Sequence, residues 1–192
     1  MKLLEDFLEY YPPTAIHGQA DELMLQQYRG YIPDLLLELW TNVGFGKYAD
    51  GLIEIVDPED FRHTLQYWLS KRNPLYFPIA ISGFGDLFYY RKLGDKAEDV
   101  CMLDVHYRQV EVCTWSLKSF FNQHIAHEDF MIDTLRSDLF NESRASLGEL
   151  EKNEIFYFVP ALILGGKISN SNIEKGNAQV HLHLLYQMGL NN

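Results

Sequence analysis

Phe77-Pro78-Ile79-Ala80-Ile81, the turn Gly83-Phe84-Gly85-Asp86, Leu87-Phe88-Tyr89-Tyr90, and then Val100 to Val105 and Val110 to Trp115 around His106-Tyr107-Arg108 decide the fold. Each run is short, rich in β-branched and aromatic residues, and bounded by turn residues. The spacing predicts a meander of antiparallel strands. Upstream, Gly51-Leu52-Ile53-Glu54-Ile55-Val56 reads as one more strand. It lies between two helical patterns.

The first of these runs from Ile32-Pro33 to Val43-Gly44. Ile32, Leu35, Leu36, Leu39, Trp40 and Val43 form one apolar stripe, with Pro33 at the first helical position and Gly44 as terminator. The second opens on Asp57 as N-cap, Pro58 first, and Glu59 and Asp60 where the helix dipole favours anions; Phe61, Leu65, Trp68 and Leu69 share one side. Beyond Ser116 the period becomes helical, with Leu117, Phe120, Phe121 and Ile125 in one stripe. Phe130, Met131, Leu135 and Leu139 form a second after the His127-Glu128-Asp129 break. The run from Ile155 to Gly166 is the most apolar and is expected in the central core. A polar loop from Ser169 to Asn177 then leads to a last helix, Val180 to Leu190. The expected class is α+β: a curved, mainly antiparallel sheet with flanking helices and a helical C-terminal part. An α+β region over residues 1–115 and a helical region over 116–192 are expected to pack as one compact unit.

The 192 residues include 47% hydrophobic and 14% aromatic side chains, which supplies a sizeable core. No stretch reaches the roughly 20 apolar residues of a membrane span, and Met1-Lys2-Leu3-Leu4-Glu5-Asp6 turns acidic where a signal peptide becomes apolar. A cytoplasmic location is expected. Cys101 and Cys113 can face each other across a hairpin centred near Tyr107, yet a reducing compartment leaves them as thiols. The formal net charge is −11. That field repels nucleic acid and anionic membrane, since phosphate binding needs Lys and Arg, and it attracts a basic protein.

No catalytic or metal constellation emerges from the spacing. His124 with His127 and His181 with His183 stand three and two residues apart, where a helical zinc motif needs four and an activating Glu inside the pair. Gly83-Phe84-Gly85-Asp86 lacks the third glycine and following helix of a dinucleotide fingerprint, and Gly44-Phe45-Gly46-Lys47 lacks the hydroxyl and spacing of a phosphate loop. The reading is of no enzyme and no cofactor. A metal-dependent hydrolase using the His and carboxylate groups of the second half, or a general protein-binding regulatory module, stay open as alternatives.

Several segments together resemble a known family. Ile32-Pro33-Asp34-Leu35-Leu36-Leu37-Glu38-Leu39-Trp40, Gly44-Phe45-Gly46, Gly51-Leu52, Val56-Asp57-Pro58-Glu59-Asp60-Phe61 and the run from Phe77 to Phe88 resemble the GAD-like domain. Asn153 to Leu162, Leu164-Gly165-Gly166, His181-Leu182 and Leu185-Tyr186-Gln187 are similar to the C-terminal region of immunity proteins that protect bacteria from their own type VI secretion toxins. The resemblance implies a cytoplasmic antitoxin that binds and blocks a cognate effector, a DNA-degrading toxin in known members, with no catalytic residues of its own. The candidate toxin contacts are Asp50, Asp86, Asp104, Tyr107 and Glu111, strand-end and loop positions that combine charge with a frequent hot-spot residue.

Overall fold

Alternating burial along the strands explains the architecture of the computed structural model, which describes residues 4–189. In chain order the elements are α1 (Glu5–Tyr10), β1 (Pro13–Gly18), α2 (Glu22–Tyr28), α3 (Asp34–Asn42), β2 (Phe45–Tyr48), β3 (Ile53–Ile55) and α4 (Pro58–Trp68). There follow β4 (Tyr76–Ser82), β5 (Leu87–Lys92), β6 (Glu98–Asp104), β7 (Gln109–Thr114), α5 (Leu117–Ser119), α6 (Ser137–Leu147), β8 (Glu154–Phe158), β9 (Ile173–Asn177) and α7 (Ala178–Met188). Strands β1 to β7 form one antiparallel sheet in sequential order, and β8 pairs with β9 in a separate ribbon.

Phe88 and Tyr90 of β5, with Val100 and Met102 of β6, point to one face, while Leu87, Tyr89, Cys101 and Leu103 point to the other. Both faces are therefore buried. The first is packed by α1, α3, the segment 117–135 and Phe140 of α6; the second by Phe61 and Leu65 of α4 and Leu182 and Leu185 of α7.

The hairpin strands lie where the alternation predicts them. Helix α4 starts as predicted, the Asp57 side chain accepting from the Glu59 amide at 3.0 Å. Asp57→Ala is expected to cost about 1 kcal/mol, seen as a lower urea midpoint at unchanged slope.

Several expectations are corrected. Pro33 is extended and stands at the N-cap of α3, not inside it. The stripe after Asp129 is split: a wide π-type turn covers Phe130–Thr134, and Arg136, in the left-handed region, separates it from α6. A similar turn, Phe120–His124, follows α5. The apolar run from Ile155 is not uniformly core. Ile155 packs on one face and Phe156 and Phe158 on the other, whereas Val159 and Leu164 are exposed. The polar loop after Ser169 includes β9, which pairs with β8 along its length. Cys101 pairs with Val112 across a bulge that leaves Cys113 on the opposite face, so the two free thiols do not meet. Met1, Lys2, Leu3 and Leu190, included in the readings of the two termini, lie outside the described residues.

Candidate functional site

In a sequential meander the turns alternate between the two ends of the sheet. Turns 49–52, 83–86 and 105–108 therefore share one end, and Asp50, Asp86, Asp104 and Tyr107 come to it together. Glu111 lies farther along β7, opposite Met102.

The middle turn is roofed by the second half of the chain. The Phe156 amide of β8 donates to the Gly83 carbonyl at 2.8 Å. The Phe84 and Phe158 rings stack with centroids 5.4 Å apart and 8° between planes. A Cβ on Gly83 would stand 2.4 Å from the Phe140 ring, and one on Gly85, at φ +97°, 2.8 Å from Ile155. Only glycine allows these approaches.

Asp86 is consequently withdrawn from the surface, with 1% of it exposed. Its carboxylate accepts from Ser82 Oγ and from Arg136 Nη1, each at 3.1 Å. Burial pushes the carboxyl above its ordinary range, and the Arg136 charge pulls against that. The structure thus places Asp86, one of the candidate contacts, inside the protein. The His106 Nε2 lies 3.0 Å from the Phe84 carbonyl; burial, then the charge of Arg136, pushes this imidazole down to about 4. It is neutral at pH 7. Neither Arg136 nor His106 was identified from the sequence, because nothing local signals a partner 50 residues from Asp86.

The remaining candidates stay outside. Asp50 is held by Arg144 Nη1 at 2.9 Å, while Nε of the same guanidinium binds Glu149. Asp104 accepts from the amides of His106 and Tyr107 at 2.8 and 2.9 Å and so fixes the β6–β7 turn. Tyr107, at its tip, is 52% exposed, and Glu111 projects into solvent. Beside them stand Val110, Val112 and Trp115, the last 72% exposed, at positions whose local pattern marks them only as strand.

The histidines do not converge. His181 stacks on Tyr157 with centroids 4.0 Å apart, and burial pushes it down to about 4; His183 contacts Gln187 and Tyr67 instead. His124 packs on Phe130 while His127 pairs with Asp129 at 3.7 Å. Among the described residues no group of three His, Cys, Asp or Glu side chains is placed to hold a metal ion, and no helix is long and apolar enough to cross a membrane.

Residues 2–102 match the model of the GAD-like domain. The chain belongs to the GAD-like family. Residues 115–189 match a second model, "T6SS immunity protein Tdi1, C-terminal". The two matches together make this GAD-like protein a type VI secretion immunity protein, an inhibitor and not an enzyme. It is similar in fold to a solved structure, "Crystal structure of Atu4351 from Agrobacterium tumefaciens", at TM-score 0.74 and 14% identity over 95% of this chain and 88% of that one. No curated protein sequence matches it. One motif from each half of this GAD-like protein meets at the roofed turn: Phe84-Gly85-Asp86 packs against Phe158 and Ile155.

Proposed function

We propose that this GAD-like immunity protein works in the cytoplasm by seating a cationic toxin, a nuclease, on the β6–β7 hairpin through Tyr107 and Glu111, with Asp104 holding the turn and Asp50 on the flank. The observation that carries this reading is the open edge of the sheet. Tyr107, Val110, Val112 and Trp115 stay exposed there, although most of the bulky aromatic side chains are packed inside. An exposed apolar strip on a sheet edge has the chemistry of a protein contact rather than of a solvated surface. The net charge of −11 supports the choice of partner. A nuclease surface built to hold phosphate is drawn toward it and would otherwise be filled by nucleic acid.

The test uses the product of the reading frame beside this gene, in an inactive form. Tyr107→Ala is expected to weaken binding by about 1–3 kcal/mol, with stability changed by less than about 0.5 kcal/mol. Glu111→Lys is expected to slow association roughly tenfold at low salt, with the difference shrinking as salt is added. Unchanged binding by both variants would move the contact off this hairpin.

A further inference from the structure

On the second face of the sheet, beyond the end of α4, a groove of about 570 Å³ runs between α4 and α7. Its lining includes His63, Tyr67, Lys71, Arg72 and Tyr186 and no acid. In a chain with 27 acids against 16 Lys and Arg, this is a local reversal of charge. Neither Lys71 nor Arg72 pairs with a carboxylate among the described residues; Lys71 lies over the Tyr76 ring, and Glu59, on the same helix, is taken up by Arg62 at 2.9 Å. Cations in the last turn of a helix are accounted for by its dipole, an influence confined to that turn. Arg72 stands four residues past Trp68, where α4 ends, so the dipole does not explain it. The floor is aromatic: Tyr67, 55% exposed, meets Tyr186 edge-on at 4.8 Å. Arg108, in the β6–β7 turn, lies against Trp68 and Tyr186, and β7 just after it carries the exposed Val110 and Val112. The groove is thus continuous with the hairpin.

Resting on the reading above, we propose that the α4–α7 groove is a second docking site on the same toxin, taking an acidic polypeptide segment whose carboxylates meet Lys71 and Arg72 over the Tyr67 and Tyr186 rings. Two contacts of opposite sign fix the orientation of a partner, which a single acidic patch does not. A nucleic-acid strand is disfavoured, since the acidic field around so short a groove repels a phosphate polymer. A second copy is disfavoured as well. Each copy carries −11, so two copies repel one another.

Lys71→Glu/Arg72→Glu, and the neutral pair Lys71→Gln/Arg72→Gln, would be titrated against the inactive toxin over a salt series, beside wild type and Glu111→Lys. Thermal melts would confirm the folding of each. The charge-reversed pair is expected to bind at least about tenfold more weakly, and the neutral pair to fall between it and wild type. Full-strength binding by both groove variants, with Glu111→Lys impaired, would overturn the groove while leaving the immunity reading in place. Wild type that fails to bind the toxin at all would overturn that reading, and the groove with it. A ten-nucleotide single strand held by wild type and released by the charge-reversed pair would reassign the groove to phosphate. Wild-type dimers that the pair dissolves would reassign it to a second copy.

Discussion

Arg136→Met is expected to destabilise the fold by about 3–5 kcal/mol at pH 8, because it leaves the Asp86 carboxylate buried without its charge partner. The guanidinium donates to that carboxylate at 3.1 Å and to the Thr134 carbonyl at 2.9 Å and lies over the Phe84 ring, while Met keeps much of the length of the side chain's apolar stem. What is lost is charge, not bulk. The pH dependence follows from the three groups facing Arg136. Burial already raises the Asp86 carboxyl, and without the arginine it rises further. A carboxyl raised in the folded state supports folding in its protonated form; that support is complete below the unfolded value and is lost as pH rises through the folded one. The deficit of the variant is therefore larger at pH 8 than at pH 5. His106 acts in the same direction. Burial and then the arginine hold it at about 4, against the pull of Asp104, and losing the arginine lets it accept a proton at smaller cost in acid. Urea unfolding at the two pH values measures this. Equal deficits would show that the pair carries no such charge coupling, and Asp86→Asn/Arg136→Met should recover most of the loss.

The hairpins were legible because each strand carries its own alternation. Leu87-Phe88-Tyr89-Tyr90 sends successive side chains to two different cores, and the turn before it is punctuated by two glycines. The start of α4 was legible for the same reason, since Asp57, Pro58 and Glu59 specify a cap within three residues. What could not be read is whatever depends on distant pairing. β9 looks like a polar loop until β8 supplies its ladder. Asp86, in a Gly-Asp turn, looks like a surface residue until β8, α6 and Arg136 close over it.

The same limit governs the candidate site. Val110-Glu111-Val112 has the alternation of a half-buried strand, and nothing local says that β7 ends the sheet, with no strand beyond it among the described residues. Edge or interior is a property of topology. The family motifs are legible because they hold the joint together, and for that reason they say little about the contact surface. In the proposed arrangement the joint fixes the scaffold, while Tyr107, Glu111, Lys71 and Arg72 remain free to vary with the toxin.

Phe84→Ala is expected to cost about 3–5 kcal/mol, the usual loss for deleting a fully buried ring whose surroundings cannot collapse into the space. The ring is sealed on both sides of the joint. Phe158 stacks on it, Phe156 lies at 6.0 Å, and the Arg136 guanidinium covers it at 5.9 Å. The Phe84 backbone is tied as well, its amide to Ser82 Oγ at 3.3 Å and its carbonyl to His106. Because these partners come from both halves of the sequence, the loss should reach residues 1–115 and 116–192 together. Amide exchange followed over a urea series separates the possibilities. In the variant, Phe156 and Val180 should lose protection at the same denaturant concentration as Phe88 and Met102, at a midpoint below that of wild type. If the β8 and α7 amides opened first while the sheet held, residues 116–192 would be a separately stable domain and the joint at Phe84 only a contact between two.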